Sequence, residues 1–211
     1  MRFLILGMLC CILVSCEGKK EIQLPKSDVS LVKTIGEHSP IYIFFKVRGN
    51  DTVANLNRAN TITSTHWVFN IDKRLPLRLV LNDIIKMQAK KDGSMHKNET
   101  SENYFSYADT LHKNLAFMPF TAISYKLEKP KQQGLIFIDK NNRIWLDGKE
   151  VDRKELKNVL TAFTEKNPQS ILFCFSKECS FGTYLQNKIF IKSLDIAPYN
   201  LYKESQTEYI F

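Results

Sequence analysis

The sequence predicts an α+β fold in two lobes, and three observations carry that expectation. Apolar residues recur at one-face helical spacing in separate segments, and short runs rich in β-branched and aromatic residues stand between them. Near the middle, Glu-Lys-Pro-Lys-Gln-Gln at 128–133 carries Pro130 and no large apolar group, as a linker does. Beyond it the expected order is β-β-α-β-α-β, with helices on one face of a mixed sheet. Composition agrees: 44% hydrophobic residues with 14 Phe, 8 Tyr and 2 Trp mark a folded chain, not a disordered one.

In chain order, 17–35 is polar, with Lys19, Lys20, Pro25 and Lys26; it reads as a tether reaching to residue 36, order beginning near His38. The run Ile-Tyr-Ile-Phe-Phe-Lys-Val at 41–47 favours a strand, 50–65 is polar with a weak helical pattern, and 67–71 favours a second strand. After Pro76, Leu77, Val80, Leu81, Ile84 and Ile85 repeat at helical spacing. Segment 99–113 reads as another helix and 121–127 as a strand, completing an N-terminal α+β lobe at 37–127. In the C-terminal lobe, 134–211, the runs 135–138 and 144–146 flank Lys-Asn-Asn-Arg and read as a hairpin, and Asp147-Gly148 makes a second turn. Asp152 and Glu155 have capping-box spacing ahead of Leu156, Val159, Leu160 and Phe163. A strand at 170–175, a helix at 181–194 and a last strand at 199–202 or 208–211 follow.

The N-terminus determines location. Arg2 gives a positive start, 3–14 is an apolar run, and Leu13-Val14-Ser15-Cys16 closes it. A span of the bilayer needs about 20 apolar residues, so the run has the length of a signal-peptide core. The Leu-Val-Ser-Cys ending resembles the lipobox of bacterial lipoproteins. That resemblance implies cleavage of 1–15, lipidation of Cys16, and anchoring in the inner or outer membrane of a bacterial envelope. The net charge is +8, and loss of Arg2 with the leader lowers it by one. In that compartment a basic surface suits anionic headgroups or acidic polymers, and no nucleic acid partner is expected.

Chemistry-bearing patterns are sparse. Of the cysteines only Cys174 and Cys179 remain after cleavage and lipidation; an oxidising compartment permits a local disulfide, and two buried thiols are the alternative. His38, His66, His96 and His112 form no metal-ligand spacing, no Gly-x-Ser-x-Gly elbow is present, and the glycines are too dispersed for a phosphate loop. No catalytic residue, metal site or cofactor is therefore expected. Lys86, Lys90 and Lys91 offer either an anion patch or favourable charges at a helix end. Trp67, Trp145, Tyr104, Phe105 and Tyr107 are binding candidates wherever they escape the core.

The hairpin Ile-Trp-Leu-Asp-Gly-Lys-Glu-Val leading into Asp-Arg-Lys-Glu-Leu-Lys-Asn-Val-Leu resembles the periplasmic domain of the ExbD/TolR biopolymer-transport family. The matching pieces are 135–139, 144–151, 155–160, 171–175 and 184–196, within about the last 75 residues, little over a third of the chain. Members of that family carry a membrane-embedded aspartate that takes part in proton-driven work. Here 3–15 holds no charged residue, and Ser176-Lys177-Glu178 replaces the acidic residue usual after the third strand. The resemblance thus implies a fold and passive binding, not motor function, and a homodimer through the last strand. The first half also reads as a divergent copy of the second: a shift of 75 residues places Ile71-Asp72 on Leu146-Asp147, and Leu81, Ile84 and Ile85 on Leu156, Val159 and Leu160, although helices share such spacing by chance too. The functional expectation is a lipid-anchored envelope protein that binds a protein or cell-wall partner without catalysis. An envelope hydrolase assembled from scattered residues and a surface adhesive lipoprotein are the alternatives.

Overall fold

A computed structural model describes residues 21–96, 98–131, 134–166, 171–194 and 206–211. Twelve strands and three helices are present among them, and the class is α+β with two mixed sheets.

The first sheet begins with a hairpin. Strands β2 (His38–Arg48) and β3 (Asp51–Asn57) pair antiparallel across Gly49-Asn50, with Gly49 at φ 62°. The weak helical pattern expected over 50–65 is overruled by this two-residue turn, which pins seven cross-strand pairs. Strand β4 (His66–Ile71) lies parallel to β2, and helix α1 (Leu77–Asp92) leads to β5 (Asn103–Asp109), parallel to β4. Strand β6 (Asn114–Pro119) returns antiparallel to β5. The helix expected over 99–113 is therefore a strand and a turn. Phe105 and Tyr107 enter the main core while Tyr104 packs with Val68 and Phe117 in a separate cluster, a period of two that local helical spacing concealed.

Nor is the segment from residue 23 to 36 a tether. Gln23 exchanges hydrogen bonds with Lys73 and Asp72, and β1 (Lys26–Ser27) runs parallel to the end of β5. Val32 bridges Phe117, and the Tyr107 hydroxyl donates to Val29 O while accepting from Leu31 N, both at 2.9 Å. Val29 and Leu31 pack on the main core, Val32 and Ile35 on the outer cluster. Four scattered apolar side chains and satisfied backbone groups hold the segment down.

The second sheet also has six strands. Strands β8 (Leu135–Ile138), β9 (Ile144–Leu146) and β10 (Lys149–Val151) form the expected double hairpin, its turns marked by Asn142 at φ 65°, Asp147 at 47° and Gly148 at 82°. Helix α2 (Leu156–Lys166) follows; Asp152 accepts from Lys154 N rather than from a capping-box partner. Then come β11 (Leu172–Phe175), α3 (Phe181–Ser193) and β12 (Gln206–Ile210). The alternative last strand at 199–202 lies outside the described residues. Strand β7 (Ile123–Lys126), on the N-terminal side of 128–133, pairs parallel with β12. The last described strand thus lies between β11 and β7 and is not an open edge.

The two sheets repeat one topology. The first runs β3-β2-β4-β5 and the second β9-β8-β11-β12, each a hairpin followed by two parallel strands joined by a helix. The register differs from the shift of 75: β4 and α1 correspond to β11 and α3, 104 positions on (77 to 181). Reciprocal hydrogen bonds show it. Leu77 N donates to Cys179 O while Phe181 N donates to Leu75 O, and Arg78 N donates to Lys177 O while Gly182 N donates to Lys73 O. Pro76 and Ser180 form the bridge at the centre. A local two-fold axis therefore passes between the two strand-to-helix turns. Gly182 makes the approach possible, since a Cβ there would lie 3.0 Å from Lys73 Cβ. Around the axis one core takes in Ile41, Phe69 and Phe105 from the first sheet, Ile136, Phe173 and Phe175 from the second, and both α1 and α3.

Candidate functional site

The inward side chains of the second sheet fill this core, and its outer face carries a groove. Because side chains alternate along a strand, Ile136 and Ile138 go inward and Leu135 and Phe137 outward. Trp145 on β9, opposite Phe137, and Phe211 after β12 complete an apolar floor, with Lys129, Asp139, Asp147 and Gly148 at its rim. The cavity measures about 740 Å³. Phe137 and Phe211 stack at 5.1 Å between centroids, and the Arg143 guanidinium lies 5.1 Å from the Trp145 ring.

The two carboxylates of the rim are committed to backbone. Asp147 accepts from Gly134 N and Leu135 N, both at 2.9 Å. Asp139 accepts from Asn141 N, Arg143 N and the Arg143 guanidinium. Burial pulls the Asp139 carboxyl upward, and the Arg143 bonds more than offset it, holding the group ionised below its ordinary range. Both rim carboxylates thus brace the turns that flank β8 and β9.

Other ionisable clusters are structural. Asp72, buried at the end of β4, accepts from Gln23 N, Arg74 N and the Arg74 guanidinium; burial raises its carboxyl, but these donors bring it below the usual range. Asp109 accepts from Ser30, from the backbone of Leu111 and His112, and from the His112 ring, and these bonds, led by Ser30, hold it well below the usual range. It closes the β5–β6 turn, with Ser30 and His112 each addressing the carboxylate rather than one another. Lys188, Glu208 and Tyr184 form a buried network inside the second lobe, and half-buried Tyr125 extends it.

The expected site residues scatter. Cys16 lies outside the described residues. Cys174 and Cys179 are free thiols, so the disulfide alternative is not formed: Phe173, Phe175 and Cys179 enter the main core, whereas Cys174 alternates to the other side of β11. Burial pushes both thiols up to about 12, which makes them inert. His38 and His66 are register partners on β2 and β4, yet no group of three metal-ligating residues converges among the described residues. Lys91 turns inward to Glu102 O and Asn103 beneath Trp67, dissolving the basic patch. Trp67, Tyr104, Phe105 and Tyr107 are buried; of the aromatic candidates Trp145 alone reaches the surface. Phe137, Leu135 and Phe211 escaped the sequence reading. The available signal was Leu-Ile-Phe-Ile at 135–138, a strand with no polar residue on either face.

No helix among the described residues is long and apolar enough to cross a membrane. Comparison with protein-family models, curated proteins and solved structures gives no match.

Proposed function

We propose that this chain is a lipid-anchored protein of a bacterial envelope that binds, without catalysis, an apolar segment of a protein partner in the groove over β8 and β9. The observation that carries it is the apolar floor of Leu135, Phe137, Trp145 and Phe211, with rim carboxylates already satisfied. Half-buried aromatics offer large contact area at little entropic cost. Lys129, 6.0 Å above Phe211, favours an acidic neighbour in the partner, in keeping with the basic chain.

The likeness to the ExbD/TolR periplasmic domain supports a binding body of this kind. The acidic residue that the likeness lacks at Ser176 stands at the matching position of the first lobe, Asp72, where it holds Arg74 and Gln23. It supports architecture there, not proton transfer.

Two measurements test the reading. Cys16→Ala should release the protein from membrane fractions, and continued membrane association would refute the anchor. A photo-crosslinking residue at Trp145 should capture a discrete protein in cells that the same probe at exposed Leu111 does not. Equal capture from both positions would remove the groove as the binding surface.

A further inference from the structure

A second cleft, separate from the aromatic groove, lies where the N-terminal segment meets α3. Its walls include Lys26, Asp28, Asn142, Arg153, Gln186 and Phe190, and it encloses about 440 Å³. Gln186 ties the two sides together through Lys26 O at 3.0 Å.

Arg153 is the unusual member. Its guanidinium carbon sits 3.8 Å from the Phe190 ring centroid, and Nη1 donates to Asn187 Oδ1 at 2.6 Å. Asn187 is 1% exposed and fixed in turn, its amide donating to Thr183 O at 2.8 Å and to Asn142 Oδ1 at 2.6 Å. Asn142 is presented by a left-handed backbone at φ 65°. The guanidinium is thus oriented by stacking and by one neutral hydrogen bond. Among the described residues it forms no ion pair, Asp28 included, whereas Arg74, Arg78 and Arg143 each meet a carboxylate. Partial desolvation lowers its proton affinity, the direction expected of a cation drawn partly out of water.

The first lobe shows that this arrangement is not demanded by the fold. On α1 the counterparts of Asn187 and Phe190 are Asp83 and Lys86 (83 to 187, 86 to 190), so neither the neutral acceptor nor the stacking ring recurs there. A planar fork with fixed direction and open donor capacity suits an oxyanion, which it can meet through two parallel N–H bonds.

We propose that this cleft binds a small oxyanion, carried by a free solute or by a lipid headgroup, on the Arg153 guanidinium, with Lys26 and Gln186 lining the site. Arg153→Met keeps an apolar stem over Phe190 and removes the charge. The test titrates inorganic phosphate, and separately acetate, into the full chain by calorimetry, while NMR follows the Asn187 side-chain amide. Saturable binding that shifts this amide, weakened about tenfold or more in Arg153→Met, is expected from loss of a charge-assisted pair. Vesicles of phosphatidylcholine with phosphatidylglycerol form the second arm. Retention on them that depends on Arg153 in a Cys16→Ala background, without response to free anions, assigns the oxyanion to a headgroup. An unchanged thermal melt of Arg153→Met without ligand shows that the variant folds. Absence of Arg153-dependent binding in every arm, or equal binding by wild type and Arg153→Met, overturns the proposal.

Discussion

Replacing Lys188 with Met, or Glu208 with Leu, is expected to destabilise the protein by about 3–5 kcal/mol, and the double replacement to recover most of that loss. Both side chains are 0% exposed and pair directly, α3 against β12. The Tyr184 hydroxyl donates to Glu208 Oε2 at 2.8 Å, and Tyr125 on β7 extends the network at 3.1 Å. Burial, with Glu208 beside them, pushes both tyrosines well above their ordinary values, so they remain neutral hydrogen-bonding groups. Removing one ion alone strands the other in a water-free core, where desolvation has no compensation. Removing both leaves an apolar pair, and the first lobe has one in the matching places: Ile84 on α1 and Phe105 on β5. Urea denaturation of the two single variants and the double gives the coupling energy directly. Single-variant losses below about 1 kcal/mol would mean that water reaches the pair.

The pair also bears on the groove. Glu208 is three residues before Phe211, and β12 is held between β11 and β7 by parallel pairing. A strand reached across a long connection gains register from a buried ion pair that no slipped pairing could satisfy.

Legibility from sequence followed the distance over which the deciding interaction acts. The hairpin at 135–146, α1, α2 and α3 were readable because local spacing and turn residues determine them. Segment 99–113 was not, because β5 is a strand through its neighbours β4, β1 and β6, while its own spacing fits a helix equally well. The N-terminal segment escaped because its partners, Asp72, Tyr107 and Asp109, lie far along the chain. The repeat was sensed in the wrong register: the helix that follows a hairpin in the second lobe, α2, has no counterpart in the first, where 58–65 connects β3 to β4 directly. Aligning helices by apolar spacing alone matched α1 to α2 instead of α3. The site was partly legible, Trp145 being singled out from the sequence while Phe137 and Phe211 depended on knowing which strand face lies open.

Phe105→Ala is expected to cost about 3–5 kcal/mol and to do so in a single unfolding transition that includes both lobes. The ring stacks on Phe120 at 3.8 Å and meets Phe69 of its own sheet at 6.3 Å. It also meets Phe181 at 5.3 Å and Tyr184 at 6.3 Å, both on α3 of the second lobe. A cavity here removes contacts from both repeats at once, and close packing leaves little room for either to relax into it. Two independent domains joined at 128–133 would behave differently: the first would melt early and the second would keep its midpoint. The reciprocal hydrogen bonds around Pro76 and Ser180 and the pairing of β7 along the edge of the second sheet argue against that outcome. Calorimetry of wild type and variant decides it. One endotherm moving as a whole shows that the repeats share a core, and that the groove on the second sheet draws its rigidity from both.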